Sequence, residues 1–406
     1  MVQRKQTADQ STVRRHNTVI VLDVVRRFSP LSRAEIAART GLNRSTVSSI
    51  VQSLLNRRFL IETDYQEDRI GRPGLSLTLN PQGGFAVGLE INVDSISAVL
   101  VDLTAHIVDR VEIEVQPNWS QADMLREAAQ LVDKMLHQGQ HISEHPLGIG
   151  IGLPGIVDTN SGVLVFAPNL GWRDVNIQEY FKEKFYIPVY VENEANCGAY
   201  GEYRFGAARD TNSFLFLSGG VGLGGGVMID GALYRGSQGY AGEFGHMVID
   251  RGGALCNCGR RGCWETAVGP RAVLDNVQTR IQSGAVSALS EMVNNNLAAL
   301  KFSHVVQAAQ QNDIVTLEAL QQVGLALGAG LTNLVNVFNP ALVVLGGALS
   351  LLHEHLLPVA MQVVQSEKVV KQANQLRIIA SSQGKDASLM GAAALVLDNV
   401  LQSPFD

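Results

Sequence analysis

Cysteine is scarce in this chain: there are four in 406 residues, and three of them crowd between Cys256 and Cys263. An apolar leader is missing as well. The start, "MVQRKQTADQS", is polar and charged rather than apolar, so no secretory signal is expected. No long unbroken hydrophobic run is present either. The most apolar late stretch, "VGLALGAGLTNLVNVF", is interrupted by Asn333 and Asn336 and falls short of the about 20 apolar residues a membrane span needs. It predicts a small-residue helix buried in a core. These absences together predict a cytoplasmic chain with no membrane partner.

What is there is ample hydrophobic material, 46% of the residues, on a chain long enough for two or three domains. The net charge of −6 is unevenly spread. Residues 1–80 hold 13 Lys/Arg against 7 Asp/Glu, and the remainder holds 19 against 31. A basic head on an acidic body points to a polyanion partner for the head alone.

Residues 14–60 read as three short helices. The first, about Arg14 to Arg27, carries Val19, Leu22 and Val25 as its apolar face. Pro30 breaks the chain, Ser32 and Glu35 form a capping box for the second helix, and Gly41 supplies a tight turn. Asn43 caps the third, whose Val47, Ile50, Val51, Leu54 and Leu55 make one apolar stripe. Two short helices around a glycine turn fit a helix-turn-helix, and a bundle without a nucleic acid partner has the same pattern. The positive charge favours DNA, read by Asn43, Arg44, Ser45, Thr46 and Ser48 at the start of the third helix. Next, "LIETDYQEDRIGRPGLSLTLN" alternates like two strands around a tip. That predicts a wing whose Arg72 enters a minor groove, the alternative being an ordinary hairpin turn.

From Phe85 the pattern changes to β-branched strands. "FAVGLEINVDSISAVLVDL" reads as a hairpin, followed by a third strand, a helix over about 120–140 and the strand "LGIGIGLPG". A similar opening recurs at "SFLFLSGGVGLGGGVMIDGALY", and later segments alternate helix with strand. Two α/β halves that open alike predict a duplicated two-lobe fold with a ligand cleft between the lobes.

The segments "ENEANCGAYGE", "GEFGHMVID", "CNCGRRGCWE" and "GLTNLVNVFNP" resemble the ROK family of repressors, open reading frames and sugar kinases. "TGLNRSTVSS" and "FAPNLGWRDV" are especially similar to its branch of xylose operon repressors. The resemblance spans about the whole chain. It implies an actin-like, hexokinase-type α/β fold of two lobes behind a winged helix-turn-helix, a sugar in the cleft and a homodimer. The expected division is residues 1–80 for DNA and 81–406 for sugar, zinc and dimerisation, with the lobes parting near residue 193.

Family kinases place an Asp-x-Gly-Gly-Thr loop for ATP phosphates where this chain has "LEINVDS", Leu89 to Ser95. Glu90 there repels phosphate instead of letting backbone N–H groups approach it. The kinases' aspartate base after asparagine is Glu194 after Asn193, whose extra methylene displaces the carboxylate. Kinase activity is therefore not expected.

His246, Cys256, Cys258 and Cys263 fall as H-x9-C-x-C-x4-C. One imidazole and three thiolates suit a closed tetrahedral site, so one structural Zn2+ per chain is expected; a reducing compartment argues against disulfides. Cys197, remote from the motif, is expected to be a small buried residue. By the resemblance, Asn193, Glu194, Glu243, His246 and Glu265 hold sugar hydroxyls. These readings converge on a repressor that binds a palindromic operator as a homodimer or homotetramer and releases it on binding an aldose such as xylose. A sugar kinase with a fused DNA-binding head and a repressor controlled by a protein partner are the alternatives.

Overall fold

The structure is a computed structural model that describes residues 10–63, 75–369 and 376–403. Helices α1 (Gln10–Phe28), α2 (Arg33–Thr40) and α3 (Arg44–Asn56) are followed by strands β1 (Leu60–Thr63) and β2 (Ser76–Leu79), paired antiparallel. The expected caps are in place. Ser32 Oγ accepts from Glu35 N while Glu35 accepts from Ser32 N, and Asn43 Oδ1 accepts from Thr46 N at 2.7 Å. On α1 two of the three expected positions, Leu22 and Val25, are buried. Val21, Leu22 and Val25 are buried with Thr18, and Val19 is half-buried. The stripe of α3 buries Val47, Ile50, Val51 and Leu54, with Leu55 at its margin. The tip with Arg72 lies outside the described residues.

The body holds two five-stranded sheets built on one plan. In the first, β3 (Phe85–Ile91), β4 (Ser95–Asp102) and β5 (Ile107–Glu114) form an antiparallel meander. Helix α4 (Gln121–Gly139) then leads to β6 (Pro146–Leu153), parallel to β3. A small antiparallel sheet of β7 (Ile156–Asp158), β8 (Val163–Ala167) and β9 (Trp172–Asn176) intervenes, with α5 (Ile177–Phe185) after it. Strand β10 (Val189–Asn193) closes the order β10-β6-β3-β4-β5, and α6 (Glu194–Phe205) leaves it.

The second sheet repeats this with β11 (Phe214–Gly219), β12 (Leu223–Ile229) and β13 (Ala232–Leu233) as the meander. Helices α7 (Glu265–Val268), α8 (Pro270–Gln282), α9 (Ala288–Met292), α10 (Phe302–Gln310) and α11 (Ile314–Phe338) follow. Strand β14 (Leu342–Gly347), helix α12 (His353–Glu367) and strand β15 (Arg377–Ala380) complete the order β13-β12-β11-β14-β15, and α13 (Ala387–Gln402) ends the chain's described part. The apolar late stretch belongs to α11, which at 25 residues is long and apolar enough to cross a membrane by length and composition. It packs against α8 and α12 instead, with Val323, Leu327, Leu331 and Leu334 in the core of the second lobe.

Two helices join the lobes. Each leaves the last strand of one lobe and packs on the sheet of the other: α6 on β11 and β12, α13 on β3 and β6. They meet backbone to backbone because glycine stands at both crossings. A Cβ on Gly391 would lie 1.7 Å from the Cys197 carbonyl oxygen, and one on Gly201 would lie 2.3 Å from that of Ala387. Cys197, expected to be a small buried residue, is buried and free, and lies at this seam. One apolar core runs from Val21 and Leu22 of α1 through Val99 of β4 to Leu397 and Leu401 of α13, so the head and first lobe share their interior.

Candidate functional site

Between the lobes lies a cleft of about 670 Å³, and Asn193, Glu194, Glu243, His246 and Glu265 all line it. Asn193 ends β10 and caps α6. Its Oδ1 accepts from Ala195 N and Asn196 N, and its Nδ2 donates to the Gly155 carbonyl and to Glu194 Oε2, both at 2.9 Å. With its amide fully engaged, Asn193 positions Glu194 more than it offers groups of its own. Burial, with the charges of Glu243 and Glu90 adding to it, raises the Glu194 carboxyl to about 8. At neutral pH Glu194 is therefore protonated, a donor as well as an acceptor.

The glycine-rich turn of the second lobe serves packing. A Cβ on Gly226 would lie 2.6 Å from the Ala199 Cβ of α6, and one on Gly225 would lie 2.2 Å from the Phe244 ring on the other face. Glycine along β12 thus lets α6 and the Phe244–His246 turn close on both sides of the sheet. The same allowance at Gly222 makes room for Glu265, whose Oε2 accepts from Leu223 N at 3.4 Å.

His246 faces two ways. Its Nδ1 lies 3.7 Å from Cys256 Sγ, and its Nε2 lies 3.8 Å from Glu243 Oε2 at the cleft. Cys258 Sγ and Cys263 Sγ are 3.6 Å apart, and the four donor atoms all lie within 4.8 Å of one another. Metal–ligand bonds of about 2.0–2.3 Å in a tetrahedron need donors about 3.3–3.8 Å apart, so the four residues fit a metal ion. Burial pushes the Cys258 thiol up, but hydrogen bonds from Arg260 and neighbouring thiols outweigh it and bring it to about 6. Such a group readily becomes a thiolate ligand. Burial and Glu265 push Cys256 the other way; its thiol donates to Glu265 Oε1 at 2.8 Å. The loop is anchored by Trp264, fully buried, whose Nε1 donates to the Ala326 carbonyl of α11 at 2.9 Å.

The other end of the cleft is made of ion pairs. Arg110 Nη2 contacts Asp386 at 2.7 Å and Glu112 at 2.8 Å, and Lys385 Nζ meets the same Glu112 oxygen at 2.7 Å. Glu90 and Asp94 of the "LEINVDS" segment stand beside this network. Burial raises the Glu90 carboxyl to about 7, against a hydrogen bond from Asn92 and with help from Asp386 and Asp94. Carboxylates lining this end, with both cations already paired, disfavour a polyphosphate.

At the head, Asn43, Arg44, Ser45 and Ser48 are exposed and Thr46 is half-buried. Ser45 donates to Asn43 Oδ1 at 2.8 Å, so the cap holds the helix start and orders its hydroxyl. Sequence reasoning missed a contact between head and body. The Asp398 carboxylate of α13 receives Arg26 of α1 at 3.3 Å, Arg204 of α6 at 2.5 Å and the hydroxyl of Tyr200. Residues so far apart in sequence leave no local signal. Trp264, adjacent to the cysteine motif, could have been found as its apolar anchor.

The ROK family model matches residues 86–399. The chain belongs to the ROK family. A MarR family model matches residues 15–69, ahead of the ROK region. The xylose repressor of Bacillus spizizenii (strain ATCC 23059 / NRRL B-14472 / W23) is 36% identical over 397 residues, covering 97% of this chain and 98% of that protein. A crystal structure of a ROK family transcriptional regulator, a homolog of the E. coli MLC protein, has a TM-score of 0.82 at 24% identity and covers 96% of this chain and 97% of its own. A ROK family glucokinase from Streptomyces griseus, solved in complex with glucose and AMPPNP, has a TM-score of 0.68 at 29% identity; it covers 77% of this chain and 99% of its own. The ROK region therefore has the actin-like sugar-kinase fold, and a winged helix-turn-helix precedes it.

Proposed function

We propose that this ROK protein is a sugar-responsive transcriptional repressor and not an enzyme. The observation that carries this reading is the pairing of a winged helix-turn-helix with a sugar-kinase cleft whose far end is lined by carboxylates. Its similarity to a xylose repressor along nearly the whole chain supports it.

In this reading residues 1–80 bind a palindromic operator through the start of α3, with Arg72 reaching the minor groove. Residues 81–406, with lobes parting near 193, bind an aldose, xylose first, and form a homodimer or homotetramer in the cytoplasm. Glu194, Glu243 and His246 Nε2 receive sugar hydroxyls, with Glu265 beside them and Asn193 holding Glu194. His246 Nδ1, Cys256, Cys258 and Cys263 hold one structural zinc, which fixes the loop that carries His246. Taking Cys256 as thiolate ends its hydrogen bond to Glu265 and leaves that carboxylate available to the cleft.

The switch follows from α6 and α13. Both begin at the cleft, with Glu194 on one and Ala387 and Ser388 on the other, and both reach the Asp398 contact with Arg26. Closing the lobes on sugar carries the head along and changes the spacing of two recognition helices in a dimer. The sugar shifts this equilibrium only by its differential affinity for the two states.

The test joins calorimetry over a panel of aldoses with operator gel shifts in the presence and absence of the best binder. A neutral aldose that binds and weakens operator affinity without ATP turnover is the expected result. Turnover of ATP would return the chain to the kinases, and sugar-insensitive operator binding would favour control by a protein partner.

A further inference from the structure

We propose that the ion pair between Glu192 and Arg235 presets the opening of the sugar cleft, which makes Arg235 a positioning residue for sugar. The inference rests on the sugar reading of that cleft, and neither residue lines it. Glu192 lies on β10 of the first sheet, and Arg235 follows β13 of the second. Arg235 Nε and Nη2 meet one carboxylate oxygen of Glu192, at 2.8 and 2.7 Å, so the pair crosses from lobe to lobe.

Glu192 is only 2% exposed. Burying a carboxylate is tolerated where a counter-charge and hydrogen bonds meet both oxygens, and removing one partner is then strongly unfavourable. Among the described residues Arg235 is its only ion-pair partner. The other oxygen accepts from Asn193 N at 2.9 Å and from Asn196 Nδ2 at 3.0 Å. Two guanidinium N–H groups from one planar fork fix direction as well as distance.

The pair stands where the lobes join. Up to Asn193 the chain belongs to the first sheet, and beyond it α6 packs on β11 and β12 of the second. Glu192 is the last residue before that junction, and Arg235 ties it to the second lobe. On the Arg235 side, Ala241 N donates to the Arg235 carbonyl at 3.0 Å, which closes the loop that runs on to Glu243. Ser237, Gln238 and Tyr240 within that loop are exposed and contribute little packing. The helix cap orients Glu194 and the cysteine loop orients His246, but each acts within its own element. The tie from Glu192 to Arg235 sets the gap between them. Walls held at the right gap before sugar arrives spare it that ordering cost. Without the tie the competent gap is populated a fraction of the time, and apparent affinity falls by that fraction.

The test is calorimetry on the full-length, zinc-loaded protein with the tightest-binding aldose of a panel of xylose, glucose, galactose and arabinose. Arg235→Met removes the donors and keeps an apolar stem. It is expected to lower affinity about tenfold, the loss that follows when the competent gap is populated about a tenth of the time. Combining it with Glu192→Gln leaves no stranded charge, so the double variant folds, and it is expected to bind as weakly as Arg235→Met. Arg235→Lys, which keeps a cation for Glu192, is expected to recover part of the loss. Amide exchange of sugar-free Arg235→Met should quicken at Asn193 and Asn196. Wild-type affinity in the double variant would trace the loss to stranded charge and overturn the positioning role. Unchanged exchange in Arg235→Met overturns it too, as does Arg235→Lys binding no better than Arg235→Met. A wild type that binds no aldose sinks the sugar reading and this inference together, whereas Arg235→Met binding like the wild type sinks the inference alone.

Discussion

The two lobes share a strand order but hold their cleft groups in different ways. In the first lobe, Asn193 and Glu194 sit where β10 passes into α6, and the helix cap itself fixes them. In the second, Glu243 and His246 lie in residues 234–264, where the only described helical element is the turn Phe244–His246. Regular structure orients a carboxylate without outside help. An irregular loop does not, and here a cluster of four side chains that could hold a metal ion and the buried Trp264 take over that task. The comparison teaches that a cysteine cluster beside a binding cleft can be scaffolding for one wall of it.

Removing the metal breaks the comparison most strongly. Cys258→Ser is expected to lose zinc, measured by metal analysis, and to destabilise the second lobe by about 4 kcal/mol or more in denaturant unfolding. Sugar binding should go with it. Full retention of zinc in a folded variant would remove the four-residue site.

Glu243→Gln tests the loop's chemistry with its scaffold intact. Losing one charge-assisted hydrogen bond of about 1.5–3 kcal/mol weakens sugar binding roughly ten- to a hundredfold in calorimetry. Operator binding without sugar stays as in the wild type. Arg44→Ala does the converse from outside both lobes: operator affinity falls by about 1–3 kcal/mol, with relaxed specificity at one position if Arg44 reads a base, and sugar binding is unchanged. Unaltered gel shifts in this variant would take α3 out of the readout.

A change of pH probes the first lobe. Glu194 is raised to about 8 and Glu90 to about 7, so the folded chain holds these protons more tightly than the unfolded one. Below about 4.5 both carboxyls are neutral in either state and the penalty is absent; it grows as pH rises and is complete above about 8. Melting of the sugar-free protein should therefore fall between pH 5 and 8.5. Glu194→Gln, neutral throughout, should flatten that fall and leave the part due to Glu90 and Glu243, whose carboxyls burial also raises.

Much of this was legible in the sequence because the signals are local. Caps such as Ser32–Glu35 and Asn43 act within one turn, and hairpins announce themselves by alternation across a short connection. On α1 Leu22 and Val25 were read correctly, while Val21 rather than Val19 completes the buried face, because both fit a helical period. The sheet of β7, β8 and β9 went unread, its strands being three to five residues long. Resemblance supplied the expected sugar residues, all of which line the cleft and which no spacing rule would have gathered from positions 193 to 265. The Asp398 contact was invisible for a plain reason: residues 26, 204 and 398 meet only once the chain is folded.

The shared interior of head and first lobe has a consequence for how the protein comes apart. A head cut free at residue 80 would lose the α13 side chains, Leu397 and Leu401 among them, that share its apolar core. The operator-binding unit is thus not a separate folding unit, and its amide protons should exchange with α13 as one cooperative block. Hydrogen exchange that protects α1 and α13 to the same free energy, with the metal loop opening independently, is the pattern this core imposes.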